Sequence, residues 1–346
     1  MAVFSGLGRK VLGSYLWCGR KEGKSEIKVG HFVTQCSTAV LDPNCTGGLE
    51  GKKRLMDKVR TLVPALIIVL VFGFCGLTST ISNAGQGKRQ IDFFCGAAVK
   101  VPMQEIIHNF QQEKGIKVNV IYSGSGGLLS QMQLSERGDV YLCGSPDYIT
   151  IGEKKGLLIK GTDNLVSYLI PAIIVPQGNP MAIHSLEDLG RNGVRIGMGN
   201  PETVCLGLYG VELLDKNGLL ESVLPNVVVF AKSCSDTAAL AVLRKVDAII
   251  GWRVFANWNP GKVEWVKIQP QKIPRISYIA IALPVFVKNR TLAMEFIDYV
   301  LSDKGKAIFK KWGYIADRRQ ALAYAPKAKI GGEYRLPAKY FRVIQK

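Results

Sequence analysis

Residues 115–134 read Gly-Ile-Lys-Val-Asn-Val-Ile-Tyr-Ser-Gly-Ser-Gly-Gly-Leu-Leu-Ser-Gln-Met-Gln-Leu. Ile116–Tyr122 alternates apolar with polar residues at the period of a strand, Ser123–Gly127 is a Gly/Ser turn, and Leu128–Glu136 takes helical spacing. Strand, tight turn and helix in that order form the repeating unit of a parallel α/β sheet. The unit recurs on both sides. Gln90–Gly96 is an apolar run ending in glycine, and Met103, Ile106, Ile107 and Phe110 place one apolar face on a helix over Pro102–Lys114, which Gly115 stops. Asp139–Leu142 and Tyr148–Lys155 predict the third strand and third helix.

Farther along, the same architecture starts again without repeating the sequence. Tyr168–Val175 reads as one long apolar strand, Leu186–Leu189 as a short helix, Val194–Met198 as a strand, and Val204–Lys216 as a helix stopped by Asn217-Gly218. Val227–Phe230, Asp236–Arg244 and Asp247–Gly251 add strand, helix and strand; Ile276–Val287 is again a long strand, and Thr291–Leu301 with Ser302–Trp312 gives two closing helices. The expected fold is α/β, with a mainly parallel sheet flanked by helices in each of two lobes, 85–171 with 271–317 and 172–270. Long strands join the lobes, and a cleft lies at the carboxyl ends of the sheets, where ligands of open α/β sheets bind.

With 47% hydrophobic and 21% charged residues over 346 positions, the chain can build two cores, and wholesale disorder is excluded. Its net charge of +18 would suit a nucleic-acid partner if it lay on the folded body. It does not. Residues 85–346 hold 34 basic and 22 acidic residues, and 318–346 alone hold 8 basic and 1 acidic. The lobes are therefore nearly balanced and 318–346 reads as a basic C-terminal tail.

Residues 62–77 form an uncharged apolar run of 16 after Lys58 and Arg60, and Ser82-Asn83-Ala84 sets small residues at −3 and −1 of a cleavage site. We read 56–84 as a signal peptide in preference to a retained anchor, and 1–55 as an upstream extension of the gene model. Export places Cys95, Cys143, Cys205 and Cys234 where disulfides are permitted. Cys205 and Cys234, on neighbouring loops of the second lobe, are expected to approach each other. No pair has Cys-x-x-Cys spacing and the chain holds three histidines, so a zinc or haem site is not expected.

Ser123–Gly127 offers hydroxyls and closely approachable N–H groups at a helix start, which is an anion site in physical terms. It lacks the Gly-Lys-Ser/Thr of a P-loop and the Gly-x-Gly-x-x-Gly of a dinucleotide fold. A second loop of the same kind, Gly199–Gly207, leads into a helix of the other lobe, so two helix N-termini can clamp one small anion. Enzyme signatures are missing: there is no nucleophile elbow, and His108 and His184 read as surface residues. Binding without turnover is expected.

Phe94–Ala98 with Gln104-Glu105-Ile106, Gly115–Val118, Ser123–Gly127, Asp139-Val140-Tyr141, Gly199–Val204 and Asp247–Gly251, in this order and spacing, resemble the extracytoplasmic molybdate-binding proteins of ABC importers. The resemblance covers about residues 90–317. It implies a two-lobed type II periplasmic-binding fold, a monomer that needs no cofactor or metal, a molybdate or tungstate ligand, and a membrane permease as partner. Carried over by position, the first-loop hydroxyl of the family falls on Ala98, beside Val99, and the second on Ser125, beside Gly126. The second-lobe helix start falls on Val204, Cys205 and Leu206, a backbone donor on Thr237, and an aromatic hydroxyl on Trp252. Two positions depart from the family. Ala98 donates only through its backbone, and Trp252 offers an indole N–H in place of a phenol. Arg253 is an additional cation beside the site, available to the anion or to a salt bridge with a neighbouring acid.

Two other readings share these residues. A phosphate or sulfate carrier would keep the fold; phosphate needs an acid to accept its proton, for which Asp139, Asp147, Glu202 and Asp236 are the candidates. An anchored polyanion binder would use the tail, where Tyr324, Tyr334, Tyr340 and Phe341 interleave with Lys327, Lys329, Arg335, Lys339 and Arg342. A tail packed across a lobe with solvated lysines explains the same residues and is preferred.

Overall fold

The computed structural model describes residues 89–345; the signal peptide read at 56–84 and the extension read at 1–55 lie outside them. β1 (Gln90–Gly96) is followed by a 3-10 turn, Ala97–Val99, and α1 (Lys100–Lys114), which buries Met103, Ile106, Ile107 and Phe110 and ends at a left-handed Gly115. β2 (Lys117–Ser123) runs straight into α2 (Ser125–Ser135), so the Gly/Ser stretch is itself the first helical turn. β3 (Val140–Cys143) precedes α3 (Asp147–Lys154). β1 lies between β2 and β3, parallel to both.

The stretch expected as one strand over 168–175 is two strands of different sheets. β4 (Asn164–Leu169) belongs with the first sheet, and β5 (Pro171–Pro176) opens the second. Pro171 cannot donate to a ladder, which suits the first residue of a strand and ends the pairing of β4. The second sheet then adds β6 (Ile196–Gly199), α4 (Cys205–Lys216), the short α5 (Leu220–Val223), β7 (Val227–Ala231), α6 (Cys234–Val242), β8 (Ala248–Trp252), the short α7 (Phe255–Trp258) and β9 (Val263–Val266). Its order is β7-β6-β8-β5-β9, with β6 parallel to β7 and β8 and β5 antiparallel to β8 and β9.

β10 (Arg275–Ala282) returns to the first sheet, antiparallel to β3 and β4, and stops at Ala282 rather than Val287. α8 (Arg290–Leu301) and α9 (Asp303–Lys311) pack on α1, with Phe296 edge-on to Phe93 and Phe110. Asn289 and Ser302 accept N–H groups of their first turns as N-caps. The basic segment is ordered: α10 (Arg318–Tyr324), β11 (Lys329–Ile330, parallel to β10) and α11 (Ala338–Ile344) bury Ala321, Ala325, Ala328 and Tyr340 in the second-lobe core. Arg318, Arg319, Lys327, Lys329, Arg335 and Arg342 remain exposed.

One buried ionic group joins these parts. Arg275 donates from Nη1 to both oxygens of Asp147 (2.9 Å each) and to the Gly332 carbonyl (2.6 Å), and from Nε to Glu212 (2.7 Å). Its guanidinium stacks 4.0 Å from the Tyr209 ring centroid. Burial pushes the Glu212 carboxyl upward against the pull of the guanidinium. Replacing Arg275 by Met should leave two buried carboxylates unpaired and lower unfolding stability by about 3–5 kcal/mol. Urea denaturation measures the loss; a variant within 1 kcal/mol of the parent would show the group to be energetically idle.

Candidate functional site

Each sheet has three parallel strands, and their carboxyl ends face across one cleft. From the first sheet come the Ala97–Val99 turn, the start of α2 and Gly144; from the second come the starts of α4 and α6 and the end of β8. The lobes are in contact here. Gly126 N–H donates to the Thr203 carbonyl across the cleft (2.9 Å). A Cβ on Gly124 would lie 2.6 Å from that carbonyl and 2.8 Å from a Val204 methyl, and one on Gly144 2.6 Å from the Cys205 sulfur. Glycine at 124 and 144 is therefore a condition of this approach.

The innermost groups are Ser125, Cys205, Cys234, Tyr209 and Trp252, all buried. Cys205 and Cys234 are the first residues of α4 and α6, and their sulfurs stand 3.7 Å apart as free thiols. The Cys205 thiol is held below its ordinary value by the Cys234 thiol, then by the Ser125 hydroxyl and Leu206 N–H, against its burial. Burial pushes Cys234 up. Tyr209 stands one turn after Cys205 with its ring edge-on to Trp252 (centroids 5.4 Å). The Tyr209 hydroxyl and Trp252 indole N–H are buried without a hydrogen-bond partner, although the indole lies near enough to Cys234 to favour its thiolate. Buried donors without partners are costly unless an acceptor is supplied.

A family model described as bacterial extracellular solute-binding protein matches residues 91–315, most of the described chain. The chain belongs to that family. Among its relatives, the molybdate-binding protein ModA of Mycobacterium tuberculosis is 26% identical over 257 residues, covering 73% of this chain and 95% of the relative. The periplasmic molybdate-binding protein of Azotobacter vinelandii has a TM-score of 0.58 at 16% identity, over 66% of this chain and all of that one. The sulfate-binding protein SubI of M. tuberculosis has a TM-score of 0.59 at 16% identity, over 70% and 93%. This solute-binding protein therefore has the type II periplasmic-binding fold of an ABC importer's binding component, and it is not an enzyme.

Of the residues predicted from sequence, Ala98, Val99, Ser125, Cys205, Leu206 and Trp252 are buried around this point. Three others adjoin it with their N–H groups engaged, which corrects the expectation that each donates into the cleft. Gly126 is bonded to Thr203, Val204 to Asn200 (2.8 Å) and Thr237 to Ser233 (3.0 Å), the last because it is already the fourth residue of α6. Ala98 turns its carbonyl toward the Tyr314 hydroxyl (2.5 Å). Arg253 is not beside the site: it donates to the Gly313 carbonyl and lies over the Tyr324 ring. His108 and His184 are exposed. Tyr209 and Gly144 were missed. The spacing of four from Cys205 on one helix carried the first signal, and the position just past β3 the second.

Because the Ser125 hydroxyl favours the Cys205 thiolate, Ser125→Ala should raise the pH at which that thiolate forms. Its absorbance near 240 nm, with Cys205→Ala as blank, follows the shift; an unchanged midpoint would mean the hydroxyl does not reach the sulfur.

Proposed function

We propose that this chain captures a small, fully ionised tetrahedral oxyanion, molybdate or tungstate, outside the membrane and hands it to an ABC permease by closure of its lobes. The observation that carries this reading is that three helix starts, those of α2, α4 and α6, meet where the lobes touch, with two buried donors, Tyr209 Oη and Trp252 Nε1, left without partners nearby. First-turn N–H groups and helix dipoles favour an anion there without any acid or base. The chain's likeness to molybdate-binding relatives supports the anion's class.

Carboxylates argue against phosphate, which brings a proton needing an acceptor. Asp147 is spent on Arg275, and Asp139 accepts the Asp92 and Lys288 N–H groups at the amino end of β3 (2.8 and 2.9 Å). Glu202 and Asp236 are exposed. Sulfate shares molybdate's lack of a proton, and the sulfate-binding relatives make it the second reading. The basic residues of 318–346 are spread over a packed segment, so no nucleic-acid partner is proposed. A monomer is the proposed form, with no metal or cofactor.

Titration calorimetry with molybdate, tungstate, sulfate and phosphate tests this. Ser125→Ala should weaken binding about 10-fold or more through loss of a charge-assisted hydrogen bond of about 1.5–3 kcal/mol. Gly126→Val should do worse, since its Cβ would meet Tyr148 at 2.8 Å and the Thr203 backbone at 3.1 Å. No heat with any of the four anions would overturn the reading.

A further inference from the structure

The two thiols have no part in the oxyanion reading as it stands, and they occupy its centre. Both are first residues of helices, both belong to the second lobe, and their sulfurs are 3.7 Å apart. Ser125 and Gly144 of the first lobe cover them, so a reagent reaches the pair only when the lobes part. The unpartnered Trp252 indole lies beside Cys234, with the Tyr209 ring packed edge-on against it, and both side chains are nine-tenths or more buried.

We propose that Cys205 and Cys234 are a disulfide modification site inside the ligand cleft, and that the oxidised protein is the form that holds the anion. The second half rests on the oxyanion reading; the first does not. A bond requires the sulfurs to close from 3.7 Å to about 2.05 Å. The oxidant is a small disulfide such as glutathione disulfide. Cys205 thiolate attacks one of its sulfurs and displaces a thiolate; Cys234 then loses its proton and attacks the Cys205 sulfur, displacing the second. Two protein thiols are oxidised, one glutathione disulfide is reduced to two thiols, and the two protons pass to them. The favoured attacking thiol is Cys205, whose sulfur is supported by Ser125 and Leu206.

The consequence for the ligand follows from who accepts the donors. In the reduced protein the Cys205 sulfur stands at the start of α4 and competes as an acceptor for the Ser125 hydroxyl and Leu206 N–H, the groups an oxyanion needs. A neutral disulfide accepts poorly and releases those donors. Asp147, a charge that opposes the Cys205 thiolate, is held by Arg275.

The test uses the whole exported protein, reduced or treated with glutathione disulfide without anion. Intact mass after alkylation should show two modifiable thiols fewer, with Cys205 and Cys234 linked in the peptide map. Calorimetry with molybdate and sulfate at pH 8 should show binding at least about tenfold tighter in the oxidised form, and Cys205→Ala/Cys234→Ala should be insensitive to oxidant. Two alkylatable thiols at these positions after oxidation would overturn the modification site, whatever the anion does. A disulfide with equal affinity in both states would overturn the switch. A disulfide with no anion bound in either state would uphold the modification site and remove the oxyanion reading.

Discussion

Arg275 holds three separately folded pieces in one arrangement. Asp147 begins a helix of the first lobe, Glu212 lies inside a helix of the second, and Gly332 belongs to the C-terminal segment. A guanidinium is suited to this task because its several N–H donors reach two carboxylates and a carbonyl while its face rests on an aromatic ring. Each charge is expensive to bury singly, so none of the three ionic partners can leave the others behind without cost. The group is therefore a constraint on geometry more than a source of net stability. It sets how closely the carboxyl ends of the two sheets can face each other.

That facing is what makes the cleft a place for negative charge. Helix N-termini contribute partial positive charge without a counterion, and here those of α2, α4 and α6 meet where the lobes touch. In the closed arrangement part of this potential is absorbed by neighbours: Thr203 takes Gly126, Asn200 takes Val204, and the Cys205 sulfur draws on Ser125 and Leu206. The sulfur is the informative acceptor. The Cys234 thiol, the Ser125 hydroxyl and the Leu206 N–H draw the Cys205 thiol down against its burial, and donors set against desolvation are what an oxyanion site requires.

The fold was legible because its signals are local. Gly115, the Ile116–Tyr122 alternation and the helical spacing of Met103, Ile106, Ile107 and Phe110 are read within a dozen residues. The division of 164–176 between two sheets was not legible, because a continuous apolar run is equally suited to one buried strand or two, and only tertiary pairing separates them. In the site, position in the chain pointed to Ser125, Cys205 and Trp252, which are buried where the lobes meet. It misjudged Thr237 and Arg253, because which N–H is free depends on where a helix begins, and where a long side chain lands depends on the C-terminal segment it meets. Tyr209 was hidden within an apolar helix.

The C-terminal segment lies largely beyond the family match, yet it is bonded to both lobes. Tyr334 donates its N–H to Asp147 of the first lobe and its hydroxyl to Asp215 of the second, each at 3.0 Å. Lys154 pairs with Glu333 and Lys339 with Glu221, again one contact to each lobe. These surface pairs add little energy on their own. Their geometry matters more: a rotation that separates Asp147 from Asp215 must break at least one of the two Tyr334 bonds. The segment also covers apolar surface of the second lobe with Ala321, Ala325 and Tyr340, so it cannot simply detach. Its positive charge is accordingly a property of the segment's outer face, while its inner face is bonded to both lobes.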